Sequence, residues 1–313
     1  MLKSFRGALM KVLEESLQAN ANMVVLCADS ARALNLAGFS EKYPGKMYCL
    51  GISEADMLSA AAGMATTGLL PVVVGFSMFV TDRPYEQIRQ SIAYPHLNVK
   101  IIATHAGLCV GKDGATHQNV EDMAVMRVLP GMRVLAAADV AQTSAAVAAM
   151  LADDSPAYLR LGRDLAEDIY TQPTSVRIGG SDLLREGGDV TIAACGLMVH
   201  PALQAAELLT QRGVQASVLN AYSVKPLDED AIAGLARRTG ALVSVEDHSI
   251  IGGLGGAIAE CLARRAPVPM EFVGVPDTFG ESGTQDDLYV KYGLIAERIA
   301  EAALRAVSRK EAR

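Results

Sequence analysis

Short unbroken apolar runs, each set against a segment of helical periodicity, constrain this chain more than any other feature. Met23-Val24-Val25-Leu26-Cys27-Ala28 reads as a buried strand ended by Asp29-Ser30, after an amphipathic helix marked by Phe5, Leu9, Val12, Leu13 and Leu17. A short strand from Met47 to Leu50, a break at Gly51, a helix from about Ser53 to Leu69 and a strand from Pro71 to Phe76 continue the rhythm. Thr81-Asp82-Arg83-Pro84 is expected to start a helix, with the proline early in its first turn, where a missing N–H is harmless. Strands at Val99–Thr104, Arg133–Ala136 and Ala157–Leu161 follow, with a helix over Ala141–Leu151 between the last two. Strands alternating with helices at this spacing mean right-handed βαβ units and a mostly parallel sheet.

Between Asp164 and Gly188 the pattern weakens, and Gln172-Pro173-Thr174 and Gly179-Gly180-Ser181 interrupt it. Beyond it the alternation resumes, with strands at Asp189–Ala194, Ala216–Leu219, Leu242–Glu246 and Glu271–Val275 and a last helix over about Leu294–Val307. The expected organisation is therefore α/β with two doubly wound domains, residues 1–165 and 189–313, joined by a linker over 166–188.

Composition narrows the class further. Half of the 313 residues are hydrophobic, enough to fill two cores, which excludes disordered and low-complexity chains. The net charge of −7 is spread through the sequence and argues against a nucleic-acid groove, which needs clustered Lys and Arg. No apolar run reaches the roughly 18 residues of a membrane helix, and the opening residues lack the pattern of a secretory signal. Five cysteines (Cys27, Cys49, Cys109, Cys195, Cys261) are widely spaced with no C-x-x-C pair, so they read as buried free thiols of a cytoplasmic protein.

In parallel sheets ligands gather at the carboxyl ends of strands, so the polar residues there are the ones to inspect. Gly51-Ile52-Ser53-Glu54-Ala55-Asp56-Met57 spans one such junction. On spacing alone, Glu54 reads most plainly as a first-turn acid favoured by the helix dipole. The helix behind it, with Ala60-Ala61-Ala62-Gly63-Met64-Ala65, has side chains small enough to let another backbone approach closely. A second junction, Gly75-Phe76-Ser77-Met78-Phe79-Val80-Thr81-Asp82-Arg83, carries two of the chain's six phenylalanines three apart, as core packing or as a flat platform for a ring. A third runs from Thr104-His105 to Gly111-Lys112-Asp113-Gly114-Ala115-Thr116-His117-Gln118. With no further His or Cys close in sequence, polar contacts to a hydroxylated substrate fit it better than a metal, with histidine shuttling protons near neutral pH.

These three stretches, in this order, resemble the pyrimidine-binding domain of the transketolase family of thiamine-diphosphate enzymes. Glu246-Asp247-His248, Gly252-Gly253-Leu254-Gly255-Gly256 and Phe279-Gly280-Glu281-Ser282-Gly283 resemble the C-terminal domain that follows it there. The resemblance implies roles. Glu54 would hydrogen-bond the cofactor's pyrimidine nitrogen in a water-poor site, and Phe76 and Phe79 would stack on that ring. Asp29 would touch the ring region. His105, Asp113 and His117 would hold the hydroxyls of a ketose, and Arg163 would grip its phosphate. The implied reaction moves a two-carbon ketol unit from a ketose to an aldose.

Departures from the family pattern also carry information. Leu2 and Ala33 stand where a phosphate-binding Arg and Ser are usual, with Arg32 beside the second, and Asp82 replaces an aromatic of the pocket. Family members hold the diphosphate and its Mg through Gly-Asp-Gly and a downstream Asn, and no Gly-Asp-Gly occurs in these 313 residues. The expected assembly is therefore a split enzyme. An N-terminal-type transketolase subunit would supply the metal ligands, and two copies of this chain would pair with two partners as a heterotetramer. Two rivals share the fold: the beta subunit of a 2-oxo-acid dehydrogenase's decarboxylating component, and a non-catalytic scaffold or regulatory subunit. The hydroxyl-matching loop around Asp113 favours the first reading, because a 2-oxo acid offers no row of hydroxyls to bind.

Overall fold

A strand that is apolar at every position can be stable only where both faces of its sheet are covered, because successive side chains point to opposite sides. The computed structural model, which describes residues 3–163, 165–172 and 174–312 and only the backbone of Lys3 and Leu165, has that arrangement twice. The first part contributes β1 (Lys3–Ser4), β2 (Met23–Cys27), β3 (Met47–Cys49), β4 (Leu70–Phe76), β5 (Lys100–Thr104), β6 (Arg133–Ala136), β7 (Ala157–Arg160) and β8 (Leu165–Ala166). The second contributes β9 (Asp182–Arg185), β10 (Val190–Ala194), β11 (Ala216–Asn220), β12 (Ser223–Lys225), β13 (Leu242–Ser249) and β14 (Met270–Val275).

One sheet of seven strands runs β12-β6-β7-β5-β4-β2-β3, parallel except for β12, and one of five runs β14-β13-β10-β11-β9, parallel except for β9. Strand β2 shows how the run is used. Met23, Val25 and Cys27 pack with Phe5, Leu9 and Leu13 of the helix Phe5–Ala19, while Val24 and Leu26 face Met57 and Leu58 of the helix Glu54–Thr66. The second of these cores continues without a break into Leu219, Ile232 and Ile258 of the second domain.

The two domains are also stitched by backbone. Strand β12, from the second domain, completes the edge of the first sheet, pairing Ser223 with Leu135 and Lys225 with Val134. Lys225 Nζ donates to the carbonyls of Arg127, at 2.7 Å, and Leu129, at 2.5 Å. The segment expected as a linker is likewise structured in part, since β9 pairs antiparallel with β11. Asp164 and Pro173, which mark the start and the first break of that segment, lie outside the described residues.

The helix expected to begin at Thr81 instead ends there. It covers Ser77–Thr81 directly after β4, and a new helix starts at Tyr85 and runs into a π-helical turn over Ile88–Ala93. Pro84 explains the restart, because it has no N–H to bond the carbonyl four residues back. Four of the five cysteines are buried as expected, but Cys49 is exposed.

The glycine run after β13 has a structural explanation. Glu246 accepts from the N–H groups of Leu254, at 2.7 Å, and Gly255, at 2.8 Å, and so caps the helix Leu254–Arg265 with a carboxylate at its positive end. A Cβ at Gly253 would stand 2.1 Å from Glu246 Oε2 and 2.6 Å from His248 Nδ1. Gly253→Ala is therefore expected to cost about 1–3 kcal/mol by overpacking, read as a lower urea midpoint with an unchanged slope.

Candidate active site

The order β7-β5-β4-β2-β3 sets the carboxyl ends of five parallel strands side by side. Asp29 follows β2, Glu54 opens the helix after β3, Phe76 ends β4, His105 follows β5 and Arg163 follows β7. Asp29 and His105 are non-glycine residues with φ of 51° and 56°, which costs roughly 1–2 kcal/mol each. Strained backbone at the rim of a sheet is often a mark of a site that must present side chains in one direction.

Glu54 lies in the first turn of the helix Glu54–Thr66 and is only 6 % exposed. Its side chain does not cap its own helix. Both carboxylate oxygens accept from Arg83 Nη1, at 3.2 and 3.1 Å. The Arg83 guanidinium in turn lies over the Phe79 ring, 4.2 Å from its centroid. Phe79 stacks on Phe76 at 6.0 Å and meets His117 edge-on at 5.1 Å, and Phe76 stacks on His105 at 3.8 Å. A buried carboxylate, two phenyl rings and two imidazoles thus form one continuous surface. Sequence reasoning gives Arg83 no role at the site, because its partner lies 29 positions away.

His105 is almost fully buried, and its Nδ1 bonds the Thr104 hydroxyl at 2.8 Å. Burial, with the charges of Arg163, Arg6 and His117, pushes its pKa down to about 3. The expectation of proton shuttling near neutrality therefore fails for His105, which is a neutral hydrogen-bonding group there. A depressed imidazole pKa favours the unfolded chain as proton acceptor. Its contribution to stability is complete above the unfolded value near 6.5 and is lost as the pH falls from there toward 3. In an NMR titration, the ring signals of His105 are expected to stay at their neutral positions down to about pH 4.5.

Asp113 and Arg163, expected separately as hydroxyl and phosphate contacts, form an ion pair at 3.1 Å, and Arg163 also donates to the Val110 carbonyl. The loop that carries Asp113 is held from the second domain. Leu108 N–H donates to Asp247 Oδ1 at 2.9 Å, Tyr289 donates to Asp247 Oδ2 at 2.9 Å, and Arg160 Nη2 donates to the Asp247 carbonyl at 2.6 Å. Arg160 is paired through its Nε with Asp122 at 2.9 Å, and both side chains are buried. Sequence alone gives Asp247 and Arg160 no role, because 87 residues separate the two ends of their contact.

Asp82 faces Asn119, whose Nδ2 donates to it at 3.3 Å. Burial and the neighbouring Glu121 and Asp122 push its carboxyl up to about 6. Ala33 offers its carbonyl to Arg6 at 3.0 Å, and Leu2 lies outside the described residues.

The ring end of thiamine diphosphate fits this chain, since a carboxyl group next to aromatic faces offers the hydrogen-bonding and stacking set that an aminopyrimidine needs. Among the described residues, no group of three or more His, Cys, Asp and Glu side chains could hold a metal ion. Nor is any helix among them long and apolar enough to cross a membrane.

Comparison with known proteins agrees with the geometry. A family model described as the transketolase pyrimidine binding domain matches residues 3–168, and one described as the transketolase C-terminal domain matches residues 179–299. The 6-deoxy-6-sulfo-D-fructose transketolase subunit of Clostridium sp. (strain MSTE9) is 43% identical over 98% of this chain and 96% of its own length. An apulose-4-phosphate transketolase subunit of Phocaeicola vulgatus is 34% identical over 98% of this chain and 97% of its own length. A solved split-gene transketolase, described as an inactive beta4 tetramer, superposes with a TM-score of 0.90 at 41% identity, covering 98% of this chain and 99% of that one. On its rim residues, its two sheets and these likenesses, the chain belongs to the transketolase family and carries that family's pyrimidine-binding domain followed by its C-terminal domain.

Proposed function

We propose that this chain is the C-terminal-type subunit of a split transketolase, moving a two-carbon ketol unit from a ketose or ketose phosphate to an aldose. A separate N-terminal-type subunit completes the site with the diphosphate and Mg ligands, in a heterotetramer of two copies of each. The observation that carries this reading is the buried Glu54 carboxylate beside the Phe76–His105 and Phe79–His117 ring pairs at the carboxyl ends of the first sheet. Bound thiamine diphosphate supplies the electron sink for the two-carbon fragment.

The chain's own residues then have definite tasks. Glu54 would hold or accept a proton toward the cofactor ring, and Arg83 fixes the plane of its carboxylate. Phe76 and Phe79 flank the ring and exclude water, and Asp29 lies at the neighbouring rim. Neutral His105, together with His117, hydrogen-bonds the donor's hydroxyls, Asp113 binds the hydroxyl next to its carbonyl, and Arg163 takes its phosphate. Because Asp113 and Arg163 already pair, substrate exchanges one ion pair for another, and Arg163 needs no reorientation from solvent.

The need for other chains is supported by what faces solvent near Glu54. Ile52 is 75% exposed, and on the helix behind it Ala55, Ser59 and Gly63 form an exposed stripe of small side chains, with open space where a Gly63 Cβ would stand. Such a stripe lets a second helix approach closely.

The test is donor choice by the assembled enzyme. Ketose donors are expected to support transfer and 2-oxo acids are not. Asp113→Ala is expected to raise KM for the ketose about 10-fold or more, the worth of a charged hydrogen bond, with a smaller fall in kcat. Decarboxylation of a 2-oxo acid at the wild-type rate, indifferent to Asp113, would point instead to the dehydrogenase-type subunit.

A further inference from the structure

Among the described residues, strand β3 is an edge of the first sheet and pairs with β2 alone. In that pairing Cys27 and Cys49 are register partners, the last residue of one strand opposite the last of the other. Partners in adjacent strands project their side chains to the same face, about 4.8 Å apart, which lies within the span that a disulfide bridges. The backbone continues the pairing with Leu50 N–H on the Cys27 carbonyl at 3.0 Å. One thiol is exposed and the other buried. That is the arrangement of an attacking and a resolving cysteine.

We propose that Cys27 and Cys49 are a two-electron thiol site, oxidised to an intrachain disulfide by low-molecular-weight disulfides and reopened by thiols. The exposed Cys49 sulfur attacks one sulfur of the small disulfide, whose other half leaves as a thiolate and takes a proton. The Cys27 thiol then gives up its proton and attacks the Cys49 sulfur, displacing the second small thiol. Two protein thiols are oxidised and one small disulfide is reduced to two thiols. Burial and the neighbouring Cys49 and Asp29 push the Cys27 thiol up to about 12. Cys27 therefore reacts second, once Cys49 carries the mixed bond.

The bridge would close the chain from residue 27 to residue 49. That loop carries Asp29, Arg32 and Ala33, and it is anchored by the buried Leu34, Leu36 and Phe39. Its exit is five residues before Glu54. Oxidation thus ties both ends of a loop at the cofactor rim.

The experiment is to treat the full chain with excess oxidised glutathione, count thiols in denaturant and map the linked peptides by mass spectrometry. The expected result is loss of two of the five thiols, one Cys27–Cys49 cross-link and full recovery with dithiothreitol. Cys49→Ala is expected to leave all remaining thiols free, and Cys27→Ala to trap glutathione on Cys49. If Cys27→Ala does not fold, the cross-link and the Cys49→Ala result decide the matter alone. Amide hydrogen exchange over residues 28–48 is expected to slow at least about 5-fold in the bridged form. Glutathione held on Cys49 of the wild-type chain while Cys27 stays free would overturn the proposal, as would a bridge that leaves the loop's exchange unchanged.

Discussion

Glu54→Gln is expected to lower two-carbon transfer by the assembled enzyme by about 10²–10⁴-fold, the range that a positioned acid–base group contributes. The substitution keeps the side chain's shape and an acceptor oxygen, so Arg83 retains one of its two contacts at the carboxylate. It removes the group that can exchange a proton with the cofactor ring. Because Glu54 is nearly buried and does not cap its helix, the fold has little reason to change, and the unfolding midpoint is expected to shift only slightly. The loss should therefore fall in kcat. Wild-type kcat in the Gln variant would remove Glu54 from the chemistry and leave it as an anchor for Arg83.

The second large effect is on stability, at the pair Arg160 and Asp122. Asp122 is fully buried, accepts from Arg160 Nε at 3.1 and 2.9 Å and from the Tyr158 hydroxyl at 2.6 Å. Arg160 carries the link onward to the Asn119 carbonyl, at 3.4 Å, and to the Asp247 carbonyl in the other domain. Arg160→Met is expected to cost about 3–5 kcal/mol, because it strands a buried carboxylate. Combining it with Asp122→Leu is expected to recover a good part of that loss, since the apolar pair leaves no charge behind. Denaturant unfolding of the three variants decides this. Equal and additive costs would mean that the two charges are not coupled.

Much of the fold is legible in the sequence, for a simple reason. β2, β5 and β10 are buried at every position; β2 is apolar throughout and the other two are apolar but for Lys100, Thr104 and Thr191, and short runs of that kind bounded by polar turns leave few other readings. The strands that do not show themselves, β9 and β12, are short antiparallel edges containing Asp182, Arg185 and Lys225, so they present neither an apolar run nor a clean alternation. The helix boundary near Pro84 falls elsewhere than expected because a proline can open a helix or end one, and only the backbone around it decides.

For the site, strand ends point to stretches whose side chains the structure brings together, and the resemblance supplies roles that spacing cannot. Glu54, Phe76, Phe79, His105 and His117 do converge. What stays hidden depends on distance in sequence: Arg83 on Glu54, Arg160 on Asp122, and Asp247 beneath the loop after β5. The neutrality of His105 is hidden as well, because burial at the rim of a sheet is a property of the packed neighbours and not of the residue.

Mixing decides most directly between an incomplete and a self-sufficient enzyme. The purified chain, supplied with thiamine diphosphate, Mg, a ketose donor and an aldose acceptor, is expected to show no two-carbon transfer. Adding an N-terminal-type transketolase subunit is expected to restore transfer and to make it saturable in that subunit. Full transfer by this chain alone, unchanged by any partner, would mean that its own residues hold the diphosphate and the metal, and the split-enzyme reading would fall.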